Sequence, residues 1–390
     1  MGDILFLSHT IPFPAARGGE ARGYHVLRQL AARKRVHLIA FASDPLDVKR
    51  KEALADVHAN RSIVWRSPAR LGAAARAFAT GRPASLAATD NAQMRRAVER
   101  ALRERAIDAV YILSAWMAQY LPAHVRARVV ADLIEPESTR LRADAKVAPL
   151  LLRAPITREA NAMFRHEQAV VRRADATLVV DESEAERFRA QRRDVRIGEN
   201  GVDSAFYDPQ AVFRRIEPLH MPILFAGQTD DRRGLAAAAW FAGTVMPHIR
   251  ARYPEARFTI VERSPGPAVV ALAAQYEGVM LIDGVIDLRP WIAAASVVVA
   301  PQGSRGGVLE AMAMARPVVA AADIAGAVDH GGTIQVGGSV GEIADEILWV
   351  LANGSAAAEL GRAARERAMW RYHWPTCLAA IDAILSGRDS

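Results

Sequence analysis

Short runs of apolar residues, many of them β-branched, recur along the chain, and most are followed by a polar loop and a segment with helical apolar periodicity. Continuous apolar runs of this length are typical of strands buried on both faces of a parallel sheet. The sequence therefore predicts an α/β protein made of two successive doubly wound halves. The predicted strands are 3–8, 36–41, 63–65, 109–114, 129–134, 176–180, 222–226, 258–261, 279–282, 297–299 and 318–320.

The stretch 297–320, VVVAPQGSRGGVLEAMAMARPVVA, contains the clearest candidate for a ligand site. It predicts a buried strand, a loop rich in Gly and Arg, a short helix over 308–315 and a second strand. The free N–H groups and the dipole of a helix start attract anions. Arg305 adds a full positive charge beside Gly306 and Gly307, where the backbone can approach a ligand closely.

Glu310 is an acid in the first turn of this otherwise apolar helix. In one interpretation, its carboxylate only complements the positive end of the helix dipole. In the other, it accepts two hydrogen bonds from vicinal hydroxyls, such as those of a ribose. The residues by themselves leave both interpretations open.

The segment VLEAMAMARPVVA resembles the C-terminal donor-site signature of retaining glycosyltransferases of family four. The likeness continues through most of the chain and is closest to sugar transferases associated with exopolysaccharide gene clusters. It implies the GT-B fold, in which two Rossmann-like doubly wound domains face each other across a cleft and a C-terminal helix crosses back to the N-terminal domain. The implied divisions are an acceptor-binding domain, a nucleotide-sugar donor-binding domain and the returning helix, at 1–210, 211–370 and 371–390.

The resemblance also assigns roles to residues. It implies that Glu310 holds the ribose of a nucleotide sugar and that the loop and helix start before it hold the diphosphate. A Gly–Gly loop after the first strand, the loops after the strands at 222–226 and 258–261, and a loop whose backbone faces the nucleobase complete the implied donor site. The donor-binding residues are Arg17, Gly18, Gly19, Gly227, Arg232, Arg233, Arg263, Val285, Gly306, Gly307, Val308, Leu309 and Glu310.

The chain departs from the family's pattern at several positions. Gln302 stands where an acid usually touches the transferred sugar, and the loop after it is shorter than usual. Glu262 occupies a position where the family usually has glycine, and no lysine follows Lys146. Gln302 can still hold a sugar hydroxyl, since an amide both donates and accepts hydrogen bonds. We predict catalytic roles for Gln302 and Arg305, the latter as part of the electrostatic clamp on the departing diphosphate.

The strand at 129–134 runs into an acidic turn, EPES, at the strand end where α/β folds keep their sites. The closer relatives have an acidic DVDS-like run here. We therefore add Glu135 to the predicted catalytic residues, and Ser138 with His9, which follows the first strand, to the predicted acceptor-binding residues. The alternative is that EPES only caps the next helix.

Composition limits the class of protein. The 390 residues, 51% hydrophobic and 24% charged, suit two globular domains. A single cysteine, Cys377, excludes a disulfide framework and a cysteine-rich zinc site and fits a reducing compartment. The first residues predict a strand rather than a signal peptide, and no stretch approaches the roughly 20 apolar residues of a membrane helix. We expect a cytoplasmic protein, with peripheral contact to the inner face of the membrane.

Charge is divided unevenly between the halves. Residues 1–200 hold 34 Lys and Arg against 23 Asp and Glu, a balance of +11, whereas 201–390 hold 16 against 20. A basic half suits an anionic surface, but aromatic-interleaved basic motifs are absent, so nucleic acid is not an expected partner. The segment 68–80 mixes arginines with apolar residues, which fits either an anionic membrane surface or an ordinary surface helix.

The expected function is transfer of a sugar from a nucleoside diphosphate sugar to a glycan, lipid-linked or small-molecule acceptor, with retention of configuration. The resemblance implies that no metal is needed, and we expect no cofactor besides the donor substrate. Two alternatives stay open: a non-catalytic GT-B protein that binds a nucleotide sugar, and a sugar-nucleotide 2-epimerase. The first gains support from the departures at Gln302 and Glu262. The second needs acid–base carboxylates and a histidine that the sequence does not identify.

Overall fold

The computed structural model describes residues 2–12, 19–43, 54, 57, 59–66, 77, 80–191, 194–218, 220–229, 232–302 and 307–387. The chain packs as two compact units. The first unit comprises 1–200 together with 377–390, and the second comprises 201–376. The boundaries that we predicted at 210/211 and 370/371 stay predictions beside this division by packing.

The first unit is built on a seven-stranded parallel sheet. Its strands are β1 (Asp3–Ser8), β2 (Val36–Ala42), β3 (Ala59–Trp65), β4 (Ile107–Leu113), β5 (Arg128–Asp132), β6 (Ala176–Val179) and β7 (Val195–Ile197). They lie in the order β3-β2-β1-β4-β5-β6-β7. The chain order therefore runs outward in opposite directions from β1 and β4, and ligands of open α/β sheets bind at the carboxyl ends of the strands at such a switch point.

Polar side chains cap some of the helices described in this unit. For example, the side chain of Asn91 accepts hydrogen bonds from the backbone of Gln93 and Met94. A 3₁₀ helix over Ala115–Tyr120 follows β4. The α-helices are α1 (Gly19–Ala31), α2 (Ala84–Ala88), α3 (Ala92–Glu104), α4 (Glu137–Val147), α5 (Leu150–Arg173) and α6 (Glu182–Arg189).

Helix α5 contains a proline close to its start. A proline usually disrupts a helix interior, so the sequence favours a start after Pro155, at Ile156. In the structure the helix begins at Leu150 and passes through Pro155. Proline removes one N–H donor, and this helix tolerates that loss within its first two turns.

The second unit contains a six-stranded parallel sheet. Its strands are β8 (Met221–Phe225), β9 (Ala256–Val261), β10 (Val279–Ile282), β11 (Val297–Ala300), β12 (Val318–Ala321) and β13 (Gln335–Gly337). They lie in the order β10-β9-β8-β11-β12-β13, so the switch point is between β8 and β11.

Helices follow most strands of this sheet. The first continues through a π-helical segment, Phe241–Val245, into the second. The helices are α7 (Arg232–Trp240), α8 (Met246–Arg252), α9 (Pro267–Gln275), α10 (Arg289–Ala294), α11 (Val308–Ala313), α12 (Ala322–Ala325), α13 (Val340–Ala352), α14 (Gly354–Arg371) and α15 (Trp374–Cys377). The last helix, α16 (Ile381–Ser386), belongs to the first unit, where the guanidinium of Arg128 donates to the carbonyl of Ile384 at 2.7 Å.

Both faces of the second sheet are buried, which explains the unbroken apolar strands. In β11, Val297 and Val299 pack in the cluster that includes α7, α8 and α13, whereas Val298 packs in the opposite cluster with α11 and α14. Alternate residues of one strand thus face different helical layers. The two parallel sheets confirm the prediction of two Rossmann-like, doubly wound halves. Within the described ranges, no helix has the length and apolar character needed to cross a membrane.

Candidate functional site

The start of helix α11 lies directly against the end of β8. Gly307, the residue before the helix, has a φ of +79°, and a Cβ there would stand 2.2 Å from the carbonyl oxygen of Ala226. Glycine meets both demands, since it adopts positive φ without penalty and has no Cβ. The first helical residues, Val308 and Leu309, are thereby held at the carboxyl edge of the sheet, beside the switch point.

The other end of α11 is held by Arg365 from α14. Its guanidinium donates to the carbonyl of Ala313, the last residue of the helix, and to the carbonyl of Tyr207 at 3.2 Å. It also pairs with Asp208 at 3.1 Å. A cation at a helix C-terminus complements the dipole, so Arg365 stabilises the helix as well as fixing its position.

Glu310 lies in the first turn of this fixed helix. Its side chain is half-buried, and its carboxylate forms no hydrogen bond or ion pair with any described residue. A carboxylate that has lost part of its water without gaining a protein donor is free to accept hydrogen bonds from a ligand. The role in ribose binding stays a prediction, and this geometry is compatible with it.

Glu262 connects the loops that follow three neighbouring strands. Its carboxylate accepts hydrogen bonds from the backbone N–H of Thr229 at 3.1 Å and from its hydroxyl at 2.7 Å. Its carbonyl oxygen accepts from the N–H of Val285 at 3.1 Å. The glutamate that departs from the family's glycine therefore joins the loops after β8, β9 and β10. The N–H of Val285 is already engaged, which leaves its carbonyl for a ligand.

Two arginines lie at the start of α7, the helix that follows β8. Arg232 is exposed and Arg233 is half-buried. A cation in the first turn opposes the helix dipole, whereas an anion there is stabilised. Gly227, which precedes these arginines, is packed so closely on Phe225 that a Cβ would stand 2.3 Å from its ring. Ala226, which precedes this loop, lies against the start of α11.

The remaining predicted donor residues are placed as follows. Gln302 and Arg263 are exposed, on the loops after β11 and β9 respectively. Gly19 is the first residue of α1 in the first unit. Arg17, Gly18, Arg305 and Gly306 lie outside the described residues, so their roles stay predictions. Among the residues that the structure describes, no group of three or more His, Cys, Asp or Glu side chains is arranged to hold a metal ion.

In the first unit, His9 follows β1 at the switch point. The guanidinium of Arg66 donates to the carbonyl of His9 at 2.7 Å. Burial, followed by the charge of Arg66, lowers the pKa of His9 to about 4, so its imidazole is neutral at pH 7. Its Nδ1 is buried and has no hydrogen-bond partner among the described residues. The predicted acceptor-binding role of His9 stays a prediction. A neutral ring whose Nδ1 has no partner among the described residues is compatible with that role.

A buried ion pair that the sequence did not indicate lies beside β5. Arg22 of α1 donates to Asp132 at 2.6 Å, and both side chains are fully buried. Tyr111 donates to the same carboxylate, and the backbone N–H of Ile134 donates to its other oxygen at 3.1 Å. Burial and the Asp132 charge raise the pKa of Tyr111, which keeps its hydroxyl protonated as a donor. Asp132, which ends β5 and precedes the acidic EPES run, is therefore engaged inside the protein.

The same run holds the other two candidates of this unit. Glu135 is exposed and follows Ile134, whose φ of +55° is a strained value for a β-branched residue. Ser138 is fully buried, and its hydroxyl and backbone N–H both donate to Glu167. The acceptor-binding role of Ser138 stays a prediction. A hydrogen bond from its hydroxyl to an acceptor would require Ser138 to rearrange, because that hydroxyl already donates to Glu167. Burial raises the pKa of Glu167 to about 7.

Comparisons with known proteins match this arrangement. Residues 221–353 match the family model described as glycosyl transferases group 1. HepE from Anabaena in complex with UDP-glucose is similar over 99% of this chain and 100% of that chain, with a TM-score of 0.67 and 16% identity. Sucrose-phosphate synthase from Thermosynechococcus elongatus is similar over 99% of this chain and 98% of that chain, with a TM-score of 0.71 and 17% identity. A TarM mutant from S. aureus, in complex with fondaparinux, α-GlcNAc-glycerol and UDP, is similar over 99% of this chain and 100% of that chain. Its TM-score is 0.65 and its identity 10%.

A comparison with curated protein sequences gave no match. The structural likenesses extend over the whole chain and establish the GT-B fold, as predicted. The match to the family model adds that the second unit contains a glycosyltransferase group 1 domain. The comparisons thus show a GT-B fold over the whole chain and a glycosyl transferases group 1 match over 221–353.

Proposed function

We propose that this protein transfers a sugar from a nucleoside diphosphate sugar to a hydroxyl of a glycan, a lipid-linked or a small-molecule acceptor, with retention of configuration. The second unit binds the donor and the first unit binds the acceptor. A UDP-sugar is the first donor to test, because HepE and TarM were solved with UDP-glucose and UDP respectively. The link to exopolysaccharide synthesis stays a prediction.

The observation that carries this proposal is the position of Glu310. Helix α11 is fixed at Gly307 and by Arg365, so the carboxylate projects from a rigid element. A glutamate that only complements the helix dipole needs no half-buried position, since an exposed carboxylate in the first turn already gains about 0.3–1 kcal/mol. A half-buried carboxylate without a donor suits a ligand that brings two hydroxyls, as a ribose does.

The diphosphate requires positive charge and N–H donors near that ribose. Arg232 and Arg233 stand at the start of α7, one loop away from Ala226, against which α11 begins. The sequence adds Arg305 in the neighbouring loop. In transfer, negative charge develops on the departing diphosphate, and fixed cations and helix N–H groups lower the energy of that state. The proposed transfer involves only the donor, the acceptor and these protein groups.

The test compares two glutamates that occupy first helical turns. Glu310→Gln should weaken binding of UDP, or of whichever nucleoside diphosphate binds, by about 1.5–3 kcal/mol in calorimetry, since the ribose then loses a charged acceptor. Glu342→Gln in α13 is the matched control, because it removes the same first-turn charge away from the proposed site. Equal affinities for wild type and Glu310→Gln would refute the ribose role.

Activity is tested separately with a panel of nucleotide sugars. Release of nucleoside diphosphate, with or without acceptor, is expected for one donor, and nuclear magnetic resonance of the product should show the donor's anomeric configuration. A protein that binds the nucleotide but turns over no donor with any acceptor is the non-catalytic alternative. Inversion of configuration would contradict the proposal while leaving the donor site intact.

A further inference from the structure

An exposed apolar tip protrudes where helix α4 turns into α5. Leu150 and Leu151 are 78% and 91% exposed, although leucine is ordinarily among the most buried residues. Val147 and Leu152, on either side of them, are also exposed. Among the described residues, Met369 and Trp370 form a shorter exposed apolar pair, at 37% and 66%. We name the segment 147–152 the apolar tip.

The surroundings of the apolar tip are basic. Lys146 and Arg153 flank it directly, and both are exposed. Asp144, the acid closest in sequence, is buried and pairs with Arg140 at 3.0 Å, so it does not offset those charges. An apolar surface bordered by cations matches a membrane with anionic headgroups, since the apolar side chains enter the hydrocarbon boundary while the cations stay among the phosphates.

The helix that begins at the apolar tip also contacts residue 77 of the basic segment 68–80, most of which lies outside the described residues. The guanidinium of Arg158, two turns along α5, donates to the carbonyl of Ala77 at 3.3 Å. Residues 67–83 contain three arginines and no acid. Glu159, beside Arg158, accepts hydrogen bonds from the backbone and hydroxyl of Ser85, so its carboxylate is turned towards α2.

We propose that the apolar tip inserts into the surface of an anionic membrane and docks the first unit there. Attraction by the basic residues brings the unit to the surface, and burial of the leucines holds it. The two contributions differ in their response to salt, because screening weakens the first and leaves the second. The inference does not depend on which sugar is transferred.

The test is co-sedimentation with vesicles of phosphatidylcholine containing about 30% phosphatidylglycerol, compared with phosphatidylcholine alone. The wild-type protein should bind the anionic vesicles, and part of the binding should survive about 0.5 M NaCl. The double variant Leu150→Asp/Leu151→Asp should bind more than about tenfold more weakly. The matched control is Val212→Asp, since Val212 is 100% exposed in the second unit and lies outside the tip.

Insertion itself is read from tryptophan fluorescence. Leu151→Trp should show quenching by brominated lipids beyond that of the wild type, and Val212→Trp should not. Unchanged sedimentation of the aspartate variant, or absence of extra quenching, would overturn the proposal. A wild-type dimer that the aspartate variant converts to a monomer would identify a second copy of this chain as the partner instead. Calorimetry of the variant with UDP separates this outcome from failure of the donor site.

Discussion

Gly307→Ala tests whether the donor-site helix is fixed as the structure shows. Alanine at a φ of +79° costs roughly 1–2 kcal/mol by backbone strain alone. Its Cβ would also stand 2.2 Å from the carbonyl oxygen of Ala226, whereas real Cβ contacts stay beyond 3.0 Å. The helix start must therefore move by at least the difference of 0.8 Å (3.0 − 2.2), away from β8.

Gly332→Ala provides the matched control. Gly332 has a φ of +78°, and a Cβ there would meet nothing within 4 Å, so this variant shows the backbone strain without the overlap. In urea unfolding, Gly332→Ala should lose about 1–2 kcal/mol and Gly307→Ala about 3–4 kcal/mol, because the overlap adds to the strain. Displacement of a positioning element by about 1 Å can cost roughly a hundredfold in activity, and Gly307→Ala should weaken nucleotide binding as well. Equal losses of stability and unchanged nucleotide affinity would refute the reasoning.

Two further substitutions test the buried charges of the first unit. Asp132→Ala leaves the Arg22 guanidinium buried without its carboxylate and should cost about 3–5 kcal/mol in urea unfolding. Asp90→Ala breaks the exposed pair with Arg95 and should cost less than about 1 kcal/mol. Similar losses for the two variants would contradict the importance of burial. The raised pKa of Glu167, about 7 in the folded state against 4.5, means that its contribution is present below pH 4.5 and lost as the pH rises to 7. The stability of Glu167→Gln relative to wild type should therefore increase between pH 4.5 and 7, by up to about 3 kcal/mol, and a constant difference would argue against the shift.

The fold was predictable because its signal is local. Strands buried on both faces, such as β11, appear as continuous apolar runs, and the Gly-rich loop before α11 marks a helix start. The family model matches the part of the chain that contains this motif, 221–353. What local patterns did not supply were element ends: α5 begins six residues before Ile156, since packing overrides the preference of Pro155.

Side-chain roles were harder to predict because partners lie far apart in the sequence. Asp132 and Glu135 look alike as acids after a strand, yet Asp132 meets Arg22, 110 positions earlier, and Glu135 is exposed. The same applies to Ser138, which meets Glu167 from the middle of a long helix. Arg22 gave no local signal of a buried partner, because α1 also contains Glu20 and Arg28, which look in the sequence like the same kind of surface charge.

The departures from the family's pattern carry less weight against catalysis once their contacts are considered. A free carboxylate at Glu262 would repel a diphosphate, but this carboxylate accepts two hydrogen bonds from Thr229. The carbonyl of Glu262 also accepts a hydrogen bond from the N–H of Val285. The residue therefore acts as a connection between loops, and part of its charge is offset by the donors around it. Loops that are fixed before the ligand arrives need little reorganisation when charge develops on a leaving group. Gln302, which is exposed and outside these connections, remains the departure that bears on the transferred sugar. The choice between enzyme and binding module thus depends on the sugar side of the site more than on the nucleotide side.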